Sequence, residues 1–251
     1  MVSSRLILGG HSFITQLGSD PAPDEKTQDA IVAACLDAGV NWFDTTYLPE
    51  RVALGNALKR LGRRNEAQLI AWNFFTGFGP DGSVGGHAPY EPRHLPQMLT
   101  ELRCEHIEHF VVHPVSDPAA QDKQEALAVS WQEQGYVGRL GTWMPPLDTT
   151  KSGPYAFAVA PCNVTCADDA MPRFATYKAL GWETLATSPF VRGWELDKRA
   201  EGKDKATVAD EMLRFAAFFP NVDKLIVAMR RPEWVAINSA SLARGPLRLG
   251  Y

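Results

Sequence analysis

Short apolar runs rich in β-branched and aromatic residues recur along the chain, at 5–9, 40–44, 68–72, 109–113, 139–142, 156–160, 183–187 and 224–228. Each has the length of a buried strand. Between most of them, apolar positions recur at helical spacing. In 24–38, Ile31, Ala34, Cys35 and Ala38 share one face, and Gly39 follows as a stop. In 50–61 the face is Leu54, Ala57, Leu58 and Leu61; in 93–102 it is Leu95, Met98, Leu99 and Leu102. Further helices are predicted over 118–134 (ending at Gly135), 171–180 (ending at Gly181), 207–219 (ending before Pro220) and 232–242, where Pro232 suits a first turn.

Eight strands alternating with helices predict an α/β fold, a (β/α)8 TIM barrel forming a single domain over 1–251. A doubly wound open sheet is the competing fold. It usually has fewer strands, and no Gly-x-Gly-x-x-Gly turn follows the first strand. The Gly/Pro-rich stretches 76–92 and 143–154 each follow a strand, which puts both at the C-terminal mouth of such a barrel.

Composition narrows the class without changing the fold. With 251 residues, 45% hydrophobic and 22% charged, the chain supports a sizeable core and excludes disorder. Lys plus Arg is 25 and Asp plus Glu is 29, a net charge of −4 with no basic block, so nucleic acid is not expected as a partner. No apolar run of about 18 residues exists, so no membrane span is expected. The N-terminal apolar stretch, 6–8, is too short for a signal-peptide core. The four cysteines are therefore expected as reduced thiols in a cytoplasm. Cys162 and Cys166 are close in sequence, but no second pair or His cluster completes a zinc pattern. Nothing in the sequence sets an oligomeric state.

On a barrel, polar residues after the strands carry the chemistry. In chain order these are His11, Asp44, Asn73, His113, Thr142, Cys162, Ser188 and Arg230. Asp44 ends Val-Asn-Trp-Phe-Asp and His113 ends Phe-Val-Val-His. An ionisable group ending an apolar strand is costly to bury without a reason. The plain alternative for each is a loop residue satisfied by backbone or water. His11, Asp44 and His113 also have the composition of a facial metal triad, although a hydrogen-bonded histidine is the simpler reading and no metal is expected. Trp72, Phe74, Phe75, Trp143 and Trp194 crowd the predicted rim and suit a small-molecule substrate with a ring or apolar part.

Several segments in register resemble the aldo-keto reductases: Ala-Gly-Val-Asn-Trp-Phe-Asp-Thr at 38–45, Glu50 with Leu54-Gly55, and Phe-Val-Val-His-Pro at 110–114. Gly-Tyr-Val-Gly-Arg-Leu-Gly at 135–141, Thr-Ser-Pro-Phe-Val-Arg-Gly at 187–193 and Arg-Pro-Glu-Trp-Val-Ala-Ile-Asn at 231–238 continue the match over nearly the whole chain. The resemblance implies hydride transfer between a reduced nicotinamide cofactor, here NADP(H), and a carbonyl. It also implies an Asp, Tyr, Lys, His tetrad in which Tyr donates the proton, a Lys paired with Asp lowers the phenol pKa, and His orients the carbonyl. An unassisted phenol titrates near 10 and is a poor acid at neutral pH.

Asp44 and His113 match that tetrad. Tyr47 stands three residues after Asp44, where the family Tyr usually follows by five, and Asn73 falls at the lysine position. For the cofactor, Ser188, Pro189, Phe190 and Gly193 match the pyrophosphate loop, and Asn238 matches the residue that contacts adenine. Arg230 and Arg231, just before Pro232, combine a helix N-terminus with two guanidinium groups, a phosphate-binding combination. Trp143-Met144 replaces the Ser-Asn pair that usually holds the carboxamide, and Cys162 replaces the Tyr that stacks on nicotinamide. Three functions stay open. One is an NADP(H)-dependent oxidoreductase with an incomplete tetrad. The second is a lyase or isomerase using His113, Asp44 and His11 without net hydride transfer. The third is a non-catalytic barrel keeping a degraded nucleotide site. Asn73 speaks against the first, and the Asp44/His113 pair against the third.

Overall fold

A computed structural model describes residues 4–15, 21–72, 74, 90–149 and 153–247. Eight parallel strands close into a barrel in sequence order, β1 through β8, with β1 pairing β8. They are β1 Leu6–Leu8, β2 Trp42–Thr45, β3 Gln68–Trp72, β4 Ile107–Val112, β5 Val137–Trp143, β6 Phe157–Pro161, β7 Glu183–Thr187 and β8 Lys224–Val227. The helices are α1 Glu25–Asp37, α2 Leu48–Leu61, α3 His94–Leu102, α4 Pro118–Glu133, α5 Ala167–Ala179, α6 Trp194–Arg199, α7 Lys205–Ala217 and α8 Pro232–Ala243. The expected (β/α)8 barrel is therefore the observed fold.

The strands read as continuous apolar runs because both faces are buried. One face joins a small interior cluster of Ile7, Ile70, Trp72, Val111, Phe157, Val159, Leu185 and Ile226. The other joins the larger layer beneath the helices, where Leu6, Leu8, Phe43, Leu69, Phe110 and Val112 meet the α1, α2 and α3 stripes. Helix starts follow local chemistry: the Asp24 carboxylate accepts from Thr27 N at 2.8 Å, and Asp117 and Asp204 cap α4 and α7 in the same way.

Most expected bounds shift by one or two residues, and the two larger departures are in helices. Helix α6 has no sequence signature because it buries no residue, so it carries no apolar stripe. Helix α5 begins at Ala167, ahead of the expected 171, and carries Pro172 inside it.

The N-terminal end of the barrel is closed by ions. The Glu183 carboxylate accepts from Arg139 Nη1 (2.5 Å) and Lys224 Nζ (2.7 Å), with His109 Nε2 at 3.6 Å. Lys224 also lies over the Trp42 ring, 4.5 Å from its centroid. These contacts hold the Glu183 carboxyl far below the usual carboxylate range, the His109 contact contributing most.

Helices α2 and α3 cross at Gly55. A Cβ there would lie 2.3 Å from the Glu101 carbonyl oxygen and 2.8 Å from the Leu102 carbonyl carbon, backbone atoms that do not rotate away. Gly55→Ala gains about 1 kcal/mol of helix propensity but overpacks the crossing by up to about 3 kcal/mol. We expect net destabilisation of about 1–2 kcal/mol, read as a lower urea midpoint; a midpoint at or above the parent's would show that the helices separate freely.

Candidate active site

The open mouth is the C-terminal one. A cleft of about 1330 Å³ starts at Gly9, His11, Asp44, Tyr47, Trp72, Phe74, His113 and Trp143. It continues past Ser188, Pro189, Phe190, Arg192 and Gly193 to Trp234, Ile237 and Asn238 on α8 and to Arg244 just after it.

Strand register builds the acid–base end. Asp44 pairs with Ile70, so the inward residues of β3 and its extension are Ile70, Trp72 and Phe74. Trp72 Nε1 donates to Asp44 Oδ1 at 2.6 Å. Burial pushes the Asp44 carboxyl up to about 7, with the Trp72 hydrogen bond opposing. Where the resemblance implies a lysine ammonium beside this carboxylate, the group that reaches it is a neutral indole N–H. Asn73 lies outside the described residues.

Tyr47 is the residue before α2, and its backbone sets up the helix start. Its carbonyl accepts from Glu50 N and Arg51 N, both at 3.1 Å. Glu50, wholly buried, turns back so that Oε2 accepts from Thr46 N (2.6 Å) and Tyr47 N (3.2 Å). Burial pushes the Glu50 carboxyl up to about 8; the backbone amides and Arg51 oppose, and Asp44 adds. The Tyr47 phenol is pushed up to about 12 by burial and by Glu50, with Arg192 opposing.

His11 sits in a short 3-10 turn, Gly10–Ser12, directly after β1. Its Nδ1 is 3.3 Å from Glu50 Oε1 and its ring lies edge-on to Tyr47, 5.8 Å between centroids. Burial lowers the His11 pKa to about 4, with Arg192 and Arg230 adding. His113 joins through aromatic contacts, 5.2 Å from Phe74 and stacked 6.3 Å from Trp143, while Trp143 lies 5.6 Å from Trp72. Asp44, Tyr47, His11 and His113 thus share one mouth, walled by Trp72, Phe74 and Trp143. Among the described residues, no group of three or more His, Cys, Asp or Glu side chains is arranged to hold a metal ion.

The far end of the cleft sorts the cofactor candidates. Ser188, Val191, Arg192 and Gly193 have φ of 61°, 48°, 58° and 92°, so the loop after β7 turns sharply through left-handed positions. Asn163 Nδ2 donates to the Ser188 carbonyl at 3.1 Å and pins its start. The Arg230 guanidinium donates to the carbonyls of His11 (3.1 Å), Ile14 and Pro21 (2.5 Å), so it ties the β1 loop to β8. Arg231 is exposed, with its guanidinium 5.6 Å from the Trp234 ring centroid. Asn238 and Gly193 line the cleft, whereas Cys162 is fully buried and offers no stacking surface.

Glu50 and Trp72 are the residues whose roles sequence reasoning did not single out. A partial signal for Glu50 was present: Tyr-Leu-Pro-Glu places a Glu in the first turn of a helix with Pro beside it, the pattern of a backbone-capping carboxylate.

No protein-family model matches the chain, and no curated protein matches its sequence. Solved structures match its shape. They include a protein assigned as an aldo-keto reductase from Pseudomonas aeruginosa, at 21% identity and TM-score 0.74 over 96% of this chain and 90% of that one. A glycerol dehydrogenase from Gluconobacter oxydans matches at 18% identity and TM-score 0.72, over 99% and 95%. An aldo-keto reductase from Bacillus halodurans in its holo form matches at 16% identity and TM-score 0.73, over 98% and 89%. The chain has the fold of these enzymes.

Asp44 binds its proton more tightly folded than unfolded, about 7 against an ordinary 3.8. Its contribution to stability is therefore fully present below about pH 4 and is lost as pH rises towards 7. Asp44→Asn keeps an acceptor for Trp72 and carries no charge. Three pKa units correspond to about 4 kcal/mol at most, and relaxation of the site halves this. We expect Asp44→Asn to be more stable than the parent by roughly 2 kcal/mol at pH 8 and equal to it at pH 4. A constant difference across that range, in urea titrations, would remove the buried-carboxyl argument.

Proposed function

We propose that this chain is an oxidoreductase that transfers a hydride between NADP(H) and a small carbonyl or alcohol substrate bearing a ring or apolar part. The observation that carries the reading is the continuity of the cleft. One end gathers Asp44, Tyr47, His11 and His113; the other reaches the first turns of a twelve-residue helix, α8. A lyase or isomerase would use the first end and leave the second without a role. The fold shared with the two aldo-keto reductases and the glycerol dehydrogenase supports the same reading.

The residues present fit a dinucleotide. Ser188, Pro189, Phe190, Arg192 and Gly193 line the middle of the cleft, and the start of α8 directs amide dipoles to its end, where Arg231 lies over the lining residue Trp234. Trp234 and Ile237 are exposed there as an apolar surface for a planar ring, with Asn238 beside them. Bound in this cleft, the nicotinamide supplies or accepts the hydride. The protein's own part is to exclude water with Trp72, Phe74 and Trp143, and to orient the substrate oxygen among His113, Tyr47 and His11. Because Arg230 is held by three carbonyls, a preference for the phosphorylated cofactor rests on Arg231.

Trp72 and Trp143 at the cleft give a direct readout. NADPH should quench the intrinsic fluorescence and bind severalfold more tightly than NADH. Arg231→Ala should bring the two cofactors to equal affinity by removing a charge-assisted partner of the 2′-phosphate. Quenching by neither cofactor up to about 1 mM, an affinity too weak for a working site, would overturn the reading.

A further inference from the structure

We propose that His11, held by Glu50, donates the proton to the substrate oxygen, in place of a lysine-assisted phenol; the proposal deepens the hydride-transfer reading and rests on it. His11 lines the cleft with its side chain 39% exposed, and Glu50 lies behind it with none. Glu50 Oε2 is taken by two backbone amides, whereas Oε1, buried, accepts no hydrogen bond and faces His11 Nδ1 at 3.3 Å. An orphaned carboxyl oxygen in a dry interior is costly, and a proton between Oε1 and Nδ1 removes that cost. Catalytic contacts of this kind are commonly long without ligand and shorten on binding.

The surroundings decide where the proton rests. Tyr47 faces His11 from the start of α2, Arg192 from the loop after β7, and Arg230 from before α8, where it donates to the His11 carbonyl. Asp44 and Arg51 face Glu50, and Arg51 Nε is bound to Glu101 at 2.5 Å. Oε1 and Nδ1 are 3.3 Å apart and burial disfavours charge on both partners, so in the proposed resting form a Glu50 carboxylic acid donates to a neutral imidazole. With Nδ1 accepting, the hydrogen of His11 is on Nε2, the nitrogen left to the cleft.

The transfer balances along that line. The carbonyl carbon accepts the hydride and its π pair passes to oxygen. The oxygen takes the Nε2 proton while Nδ1 takes the Glu50 proton. The products are an alcohol, the oxidised dinucleotide, a neutral His11 in the other tautomer and a Glu50 carboxylate, which regains a proton from solvent through the imidazole. Tyr47 is less suited to proton donation, because its phenol is a weaker acid than in water and, among the described residues, no lysine lines this end of the cleft. Glu50 is a positioning residue in this scheme, and His11 is the catalytic one.

The test uses the full chain labelled with ¹⁵N-histidine, with benzaldehyde as probe and NADPH as cofactor. His11 is assigned by the signal missing in His11→Gln. The expected result is a neutral Nε2–H imidazole at pH 7 whose Nε2–H resonance moves with benzaldehyde, and whose Nδ1 resonance moves in Glu50→Gln. His11→Gln should lower kcat for benzaldehyde reduction about 100-fold, the usual share of a general acid, with NADPH affinity within about twofold of the parent. Should Glu50→Gln fail to fold, the parent and His11→Gln measurements decide alone. An Nδ1–H tautomer, a His11 signal indifferent to benzaldehyde, or parental kcat in His11→Gln would each overturn the proposal. A parent that shows the His11 response and binds NADPH, yet reduces no benzaldehyde, overturns the hydride-transfer reading and keeps His11 as the carbonyl's donor.

Discussion

The active-site end depends on where the Glu50 carboxylate lies. One oxygen holds the amides of Thr46 and Tyr47, which fixes the turn from β2 into α2. The same oxygen lies against Gly10, where a Cβ would come within 2.2 Å of it and within 2.8 Å of the Asp44 carbonyl. The close approach of the β1 turn to β2 is possible because residue 10 has no side chain. That approach brings His11 onto the second carboxyl oxygen. A single buried carboxyl therefore orients Tyr47, packs the β1 turn and contacts the histidine, and moving it would displace all three.

The interior beside it is aromatic where the resemblance implies a cation. Trp72 gives Asp44 a hydrogen bond but no charge, and Phe74 and Trp143 pack their rings beside Trp72. Two carboxyls so placed favour their protonated forms near neutral pH. An ammonium there would have drawn protons off both. The substitution therefore changes the type of chemistry available at this mouth: it shifts from charge-assisted donation towards donation from neutral, buried acids.

Much of this was legible in the sequence, and the failures have specific causes. The barrel could be read because strands buried on both faces are apolar throughout and most helices carry a stripe; α6, lying on the surface, carries none. Asp44, His113 and His11 could be read as polar residues after apolar strands. The partner of Asp44 could not. Strand side chains alternate with a period of two, so an error of one residue exchanges the inward face for the outward one, and the inward residue beside Asp44 is Trp72. The His11–Glu50 contact joins residues 50 − 11 = 39 positions apart and exists only because β1 and β2 are neighbours in the closed barrel. Arg230 shows a different limit: a basic pair before a helix is visible in sequence, but the carbonyls of 11, 14 and 21 that hold one of the two are not.

The acid strength of the site follows from these placements. A phenol raised to about 12 is a poor donor at neutral pH, and an imidazole lowered to about 4 is seldom cationic there. Neither alone is matched to protonating an alkoxide at pH 7. A carboxyl near 8 is nearly matched, but Glu50 has no exposure to the cleft. Linking it to the cleft through a neutral imidazole resolves the mismatch: the buried acid supplies the proton, the ring carries it without becoming an imidazolium, and the charge left on Glu50 is met by the Thr46 and Tyr47 amides and by Arg51. Aromatic walls are then compatible with catalysis, because a relay between neutral groups, unlike an ion pair, needs no water to stabilise its resting state.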